Sequence, residues 1–135
     1  MTSPKPQPAQ AVTTGTALVA WFLAACAVLA AFYAAGVAFA WLPFNSGAWL
    51  VGDEASRGWL AYLLAALAHF AAALGLWRRR RWARWLAVFL LAAGLLPAVP
   101  AISAAVVDSR ISGIAFWGVL IVVRAAALYL LLQAE

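Results

Sequence analysis

Five arginines lie between two long apolar runs, in the stretch Trp77-Arg78-Arg79-Arg80-Arg81-Trp82-Ala83-Arg84-Trp85. Each arginine placed at the centre of a bilayer-spanning helix costs roughly 2.5–3.5 kcal/mol on insertion scales. The cluster therefore stays outside the hydrocarbon core, and the apolar runs beside it must be separate spans. This one stretch constrains how the whole chain can fold.

The composition excludes an ordinary soluble domain. Apolar residues make up 68% of the chain and charged residues 10%, against roughly 45–50% and about 25% in soluble domains. The net charge of +5 would also suit a nucleic-acid-binding protein. However, most of the positive charge sits in one loop between apolar spans, which is typical of membrane topology, so we expect no nucleic-acid partner.

The hydropathy pattern predicts an all-α membrane protein, a four-transmembrane-helix bundle. The prolines of the first residues, Pro4, Pro6 and Pro8, disfavour a helix and predict a flexible cytoplasmic tail over 1–15. One transmembrane domain follows over 16–135. Its spans are expected at about 16–42, 58–77, 82–107 and 111–132.

Two of the spans carry local signals. Small residues recur at steps of three and four along the first span, which favours close approach of another helix; they are Ala20, Ala24, Ala27, Ala31, Ala34 and Ala38. Pro97 and Pro100 interrupt the third span and predict a kink there. In the loop between the first two spans, Trp49-Leu50-Val51 is expected to dip back into the membrane interface.

The basic residues predict the orientation. Lys5 and the five arginines of the loop would lie on one side of the membrane, with Arg57 and Arg110 on the other. Because the side with more Lys and Arg stays cytoplasmic, both termini are expected in the cytoplasm, in a bacterial inner membrane. Arg78, Arg79, Arg80, Arg81 and Arg84 then anchor the topology and contact anionic headgroups. A specific anionic-lipid or acidic-protein site is the alternative.

Two polar residues are expected at membrane depth, His69 in the second span and Arg124 in the fourth. Both spans run in the same direction, and the two residues are predicted at similar depth. An ionisable residue in a membrane is a functional hypothesis, here a shared site in which Arg124 binds an anionic group beside a neutral His69. Alternatively, Arg124 snorkels toward headgroups or contacts a backbone carbonyl, and His69 makes an interhelical hydrogen bond.

The remaining residues offer no catalytic constellation. Cys26 is the only cysteine, so neither an intrachain disulfide nor a cysteine metal cluster is expected. Leu23-Ala24-Ala25-Cys26 has the form of a lipobox, but the chain stays apolar far beyond Cys26, unlike a signal peptide. No hydrolase, zinc or phosphate-binding motif is present. We therefore expect neither an enzyme nor a cofactor or metal site.

From Gly75-Leu76-Trp77 through the arginines and Trp82-Ala83-Arg84 to Tyr129-Leu130-Leu131-Leu132, the sequence resembles small four-span bacterial membrane proteins. These commonly read G-L-W, basic residues, W-A-R and then an apolar helix. The resemblance implies a four-helix membrane fold and assigns no site. Together these features favour a non-catalytic accessory or interaction subunit of an inner-membrane assembly, as a homo- or hetero-oligomer. The alternative is a small oligomeric transporter or lipid-handling protein that uses His69 and Arg124.

Neutralising the five loop arginines tests the predicted topology. With Arg78, Arg79, Arg80, Arg81 and Arg84 all changed to Gln, the basic residues no longer favour one side. Reporter fusions to the C-terminus should then show mixed or inverted insertion. The same fusion on Arg110→Gln is the control and should keep the wild-type orientation. A uniform wild-type orientation in the fivefold variant would show that this loop does not set the topology.

Overall fold

The computed structural model describes residues 9–42, 47–51 and 58–133. This part of the chain is built from helices, with no strand among the described residues. The helices are α1 (Ala9–Ala38), α2 (Ala48–Val51), α3 (Trp59–Trp77), α4 (Arg81–Leu95), α5 (Ala98–Val107) and α6 (Ile111–Gln133).

Four segments are long and apolar enough to cross a membrane, which confirms the predicted fold class. They are Thr14–Ala38, Trp59–Trp77, Arg81–Val107 and Ile111–Gln133. Three agree closely with the predicted spans, whereas the first ends at Ala38 instead of 42. The helix also starts at Ala9, earlier than the predicted tail boundary. Pro8 is the last proline before it, and every residue within α1 has a backbone N–H to donate. Residues 1–8 of the predicted tail lie outside the described residues.

Helix α1 ends early because its last turn closes on itself. Ala40 has a left-handed backbone, with φ of 57°. The N–H groups of Trp41 and Leu42 both return to the carbonyl of Gly36, at 2.8 and 3.1 Å. This arrangement satisfies carbonyls that a helix end leaves without partners. It also explains a glycine at 36, where a Cβ would overlap the Leu42 side chain.

The long interface between α1 and α3 follows a seven-residue repeat. Buried positions of α1 include Ala20, Ala27 and Ala34 in one row and Leu23, Ala30 and Val37 in another. A repeat of this kind keeps one seam facing a partner helix, as in a coiled coil. Ala31 and Ala38, which belong to the predicted small-residue stripe, are exposed instead. The stripe thus predicted close packing correctly but included two residues that lie off the seam.

The kink predicted in the third span is confirmed as a break between α4 and α5. Helix α4 ends at Leu95, and α5 begins at Ala98. Pro97 has no N–H to donate to the carbonyl of Ala93, so the helical ladder is interrupted there. Pro100 lies in the first turn of α5, where backbone N–H groups have no intrahelical acceptor in any case.

The arginine loop and both ends of the described chain lie at the same end of the bundle. Arg84 of α4 donates to the carbonyl of Leu131 near the end of α6, at 2.5 Å. Gly15 of α1 faces the Leu130 side chain, and Trp21 packs edge to face on Trp77 with ring centroids 5.3 Å apart. We call this the arginine end. The main core cluster draws on α1, α3, α4 and α6.

The close approach of α3 and α4 at the arginine end depends on Gly75. A Cβ at this position would overlap the Cβ of Ala83, which is fully buried. Gly75→Ala should therefore destabilise the bundle by about 1–3 kcal/mol, as overpacked cores do. The measurement is thermal unfolding in detergent. Gly118→Ala is the matched control, because nothing lies within 4 Å of the Cβ it would add, and it should change stability by less than about 1 kcal/mol. Equal effects would disprove the packing role of Gly75.

Candidate functional site

Arg124 of α6 is buried inside the bundle, with 3% of its surface exposed. Its guanidinium donates to two backbone carbonyls from different parts of the chain. Nη1 bonds the carbonyl of Gly94 in α4, and Nη2 lies 3.4 Å from the carbonyl of Trp49 in α2. One side chain therefore connects α6 to α4 and to the short helix α2.

Both acceptors lie where helices end. Gly94 is in the last turn of α4, and every residue of α2 is close to its end. Carbonyls in such positions have no intrahelical partner, and that of Gly94 also lies at the negative end of the α4 dipole, which favours a cation. Arg124 supplies both the hydrogen bonds and the charge. Among the residues that the structure describes, the partners printed for the Arg124 guanidinium are therefore backbone carbonyls.

Gly94 leaves the space that the guanidinium occupies. A Cβ there would overlap Cζ and Nη1 of Arg124. The glycine also lies three residues before Pro97, at the break between α4 and α5. The break and the absent side chain together open a place for Arg124 on the surface of α4.

Helix α2 enters the bundle between the ends of the longer helices. Leu50 is 8% exposed and packs in a cluster with Cys26, Ala30 and Ala66. The N–H of Gly47 donates to Tyr62 Oη at 3.2 Å. Irregular backbone at membrane depth must be buried in protein or line a water-filled cavity, and α2 meets the first condition through these contacts. Of the segment Trp49-Leu50-Val51, Leu50 is buried and the other two are half-buried, and the predicted dip into the membrane interface stays a prediction.

The ring of Trp49 in α2 packs against aromatic rings of the long helices. It meets Phe116 of α6 edge to face, with centroids 6.2 Å apart, and Tyr33 of α1 at 6.5 Å. Tyr33 in turn lies 5.8 Å from Tyr62 of α3. Aromatic rings of α1 and α6 therefore contact α2 directly, and Tyr62 of α3 supports the Tyr33 ring.

His69 is also buried, with 7% of its surface exposed, but it bonds within its own helix. Nδ1 lies 2.7 Å from the carbonyl of Ala65. Because a carbonyl only accepts, Nδ1 carries the hydrogen. The observed partner is one turn back on α3, so this bond is not the interhelical hydrogen bond proposed as an alternative.

His69 and Arg124 both bond residues that pack against one buried cluster. The cluster contains Cys26, which is 4% exposed, and Ala65 and Trp49 pack against it. Ala65 accepts from His69, and Trp49 accepts from Arg124. The described hydrogen bonds of Arg124 and His69 do not join them to each other. The two candidate residues thus adjoin the same cluster through their partners, and a shared ligand between them stays a prediction.

Of the two local explanations for Arg124, snorkelling is wrong. A snorkelling arginine extends to the headgroups, whereas this one is buried and bonded to carbonyls. The contact with a backbone carbonyl is confirmed. What the sequence did not indicate is which carbonyls accept, because Gly94 and Trp49 contribute only backbone atoms.

The five loop arginines fall into two groups. Arg78, Arg79, Arg80 and Arg81 are exposed, whereas Arg84 is partly buried and bonded to Leu131. Arg78, Arg79 and Arg80 connect α3 to α4, and Arg81 is the first residue of α4; we call these four residues the arginine turn. Arg84 belongs to the packing of α4 against α6, so its charge helps to complete the carboxyl end of α6.

A lateral groove runs between α1 and α6 on the outside of the bundle. Its volume is about 430 Å³, and its lining is apolar: Phe22, Ala115, Phe116, Val119, Leu120 and Val123. Neither His69 nor Arg124 lines it. The groove therefore suits a hydrocarbon surface, and it lies apart from the polar groups of the bundle.

Comparisons with protein-family models, curated proteins and solved structures find no match to this chain. The resemblance to small four-span bacterial membrane proteins accordingly stays a prediction. What the structure itself defines is an integral membrane protein of four spans.

The contact between Arg124 and Gly94 can be measured by a double-mutant cycle. Arg124→Leu should cost about 1–3 kcal/mol, because it leaves the carbonyls of Gly94 and Trp49 without their donor. Gly94→Ala should also destabilise the native chain, since the methyl group displaces the guanidinium. In the Arg124→Leu background there is no guanidinium to displace. The double variant should therefore lose clearly less stability than the sum of the losses in the two single variants. Thermal unfolding in detergent is the measurement.

The matched cycle pairs Arg124→Leu with His69→Leu. These residues have separate hydrogen-bond partners, so their effects should add to within about 0.5 kcal/mol. Strong coupling of this second pair would instead support a site that both residues share. Additivity between Arg124 and Gly94 would refute the proposed contact.

Proposed function

We propose that this chain is a non-catalytic accessory or interaction subunit of a bacterial inner-membrane assembly. The observation that carries the proposal is the internal use of Arg124. A transport or catalytic site needs polar groups free to meet a substrate, whereas this guanidinium is buried and bonded to Gly94 and Trp49. The most conspicuous charge at membrane depth thus serves to hold the bundle together.

The lateral groove supports an interaction role. Val119 is 64% exposed and Phe116 49% exposed in this groove, and the lining is apolar throughout. Packing of side chains into such a surface drives helix association in a bilayer, where burial from water contributes nothing. A transmembrane helix of a partner subunit is the occupant that this proposal assigns.

A lipid-handling or transport function is the second candidate. The bonds of His69 and Arg124 to residues around the Cys26 cluster favour it, since ionisable groups inside membranes often mark substrate paths. Four helices enclose little space, so this function would require an oligomer. It predicts that Arg124 exchanges its carbonyl partners for an anionic group of the substrate.

Filling the groove tests the first proposal. Val119→Trp places a large ring in the groove and should remove partner subunits that copurify with the tagged chain in mild detergent. Val106→Trp is the matched control, because Val106 is similarly exposed, at 56%, but lies on α5 away from the groove. Both variants should keep wild-type thermal stability. The readout is quantitative mass spectrometry of the purified complexes.

Two results would overturn the accessory role. One is a wild-type chain that retains no stable partner of either kind. The other is equal partner loss in the two tryptophan variants, which would show that the groove is not the contact. Transport of a substrate in proteoliposomes, abolished by Arg124→Leu in a chain that remains folded, would establish the second candidate instead.

A further inference from the structure

The arginine turn is a strongly charged surface that the proposed accessory role does not use. Arg78, Arg79, Arg80 and Arg81 follow the last residue of α3 without interruption, and all four are exposed. Asp108 is the only acidic residue in the described part of the chain. It lies in the turn at the opposite end of the bundle and pairs with Arg110 at 2.9 Å. Within the described residues, therefore, no carboxylate compensates the four guanidinium groups.

Three backbone N–H groups of the turn are already bonded within it, so the four guanidinium groups are its main donors for a ligand. The N–H groups of Arg78, Arg79 and Arg80 bond the carbonyls of Leu74, Leu76 and Gly75 at 3.0, 3.0 and 2.8 Å. Arg79 has a left-handed conformation, with φ of 52°. These bonds hold Arg78, Arg79 and Arg80 in a tight connection, and all four arginine side chains lie outside the core.

The depth of the turn in the membrane is marked by tryptophans. Trp77, Trp82 and Trp85 adjoin it and are exposed. Exposed tryptophans of membrane proteins concentrate at the headgroup level. The anions present at that level are lipid phosphates, and the planar guanidinium matches phosphate geometry with two parallel hydrogen bonds.

We propose that the arginine turn is a binding site for the headgroups of anionic phospholipids. Each exposed arginine contributes charge and phosphate hydrogen bonds, and the tryptophans set the turn at phosphate depth. Arg84 has no part in the site, because it donates to the carbonyl of Leu131. The inference is independent of the partner subunit proposed for the groove.

The test uses the purified full-length chain in detergent, where insertion topology cannot affect the result. Phosphatidylglycerol or phosphatidylcholine is titrated in, and bound lipid is counted by native mass spectrometry. Wild-type protein should bind phosphatidylglycerol preferentially, and the preference should weaken at high salt. Changing all four turn arginines to Gln should abolish the preference.

Arg79→Gly is a variant that tests lipid binding without disturbing the fold. Glycine adopts a left-handed backbone freely, so this variant should fold at least as well as the wild type. Its affinity for phosphatidylglycerol should fall by about fivefold, the usual effect of one basic residue near an anionic surface. Arg84→Gln is the matched control. It should lower thermal stability while leaving the lipid preference unchanged.

Three outcomes would overturn the proposal. Equal binding of the two lipids by the wild type would show that charge is not recognised. An unchanged preference in the fourfold variant would place the site elsewhere. Binding of soluble polyglutamate in preference to phosphatidylglycerol would assign the turn to an acidic protein partner.

Discussion

The hydrogen bonds of Arg124 hold together the least regular parts of this bundle. The break between α4 and α5 and the short helix α2 each present carbonyls near helix ends. An unsatisfied polar group in hydrocarbon costs several kcal/mol. A single guanidinium meets carbonyls from both places, so two irregularities that would each destabilise the protein stabilise one another.

The arginines show how the same side chain is used in three ways. Arg124 is inside the bundle and satisfies helix ends. Arg84 lies at the arginine end and completes α6 through Leu131. The residues of the arginine turn remain exposed and carry the charge that is available to other molecules. Structural arginines are buried and bonded to backbone carbonyls, whereas the arginines that can bind a ligand are exposed. The residue type is the same in both groups.

The sequence was sufficient to predict the spans, the proline break and the loop between α3 and α4, since each depends on local composition. It placed Arg124 and His69 at membrane depth for the same reason. It could not identify the partners of Arg124, because Gly94 and Trp49 act through backbone atoms that leave no side-chain signature. The end of α1 was also misplaced, since Ala40 has a left-handed backbone that alanine rarely adopts.

The position of α2 has a consequence for biogenesis. Its contact residue Trp49 is made early in translation, whereas Arg124 and Phe116 belong to the last span to emerge from the ribosome. Until α6 is inserted, the carbonyl of Trp49 lacks its arginine and its ring lacks one aromatic neighbour. The contacts of Leu50 with α1 and α3 can form before α6 is made, whereas those of Trp49 with Arg124 and Phe116 need the last span.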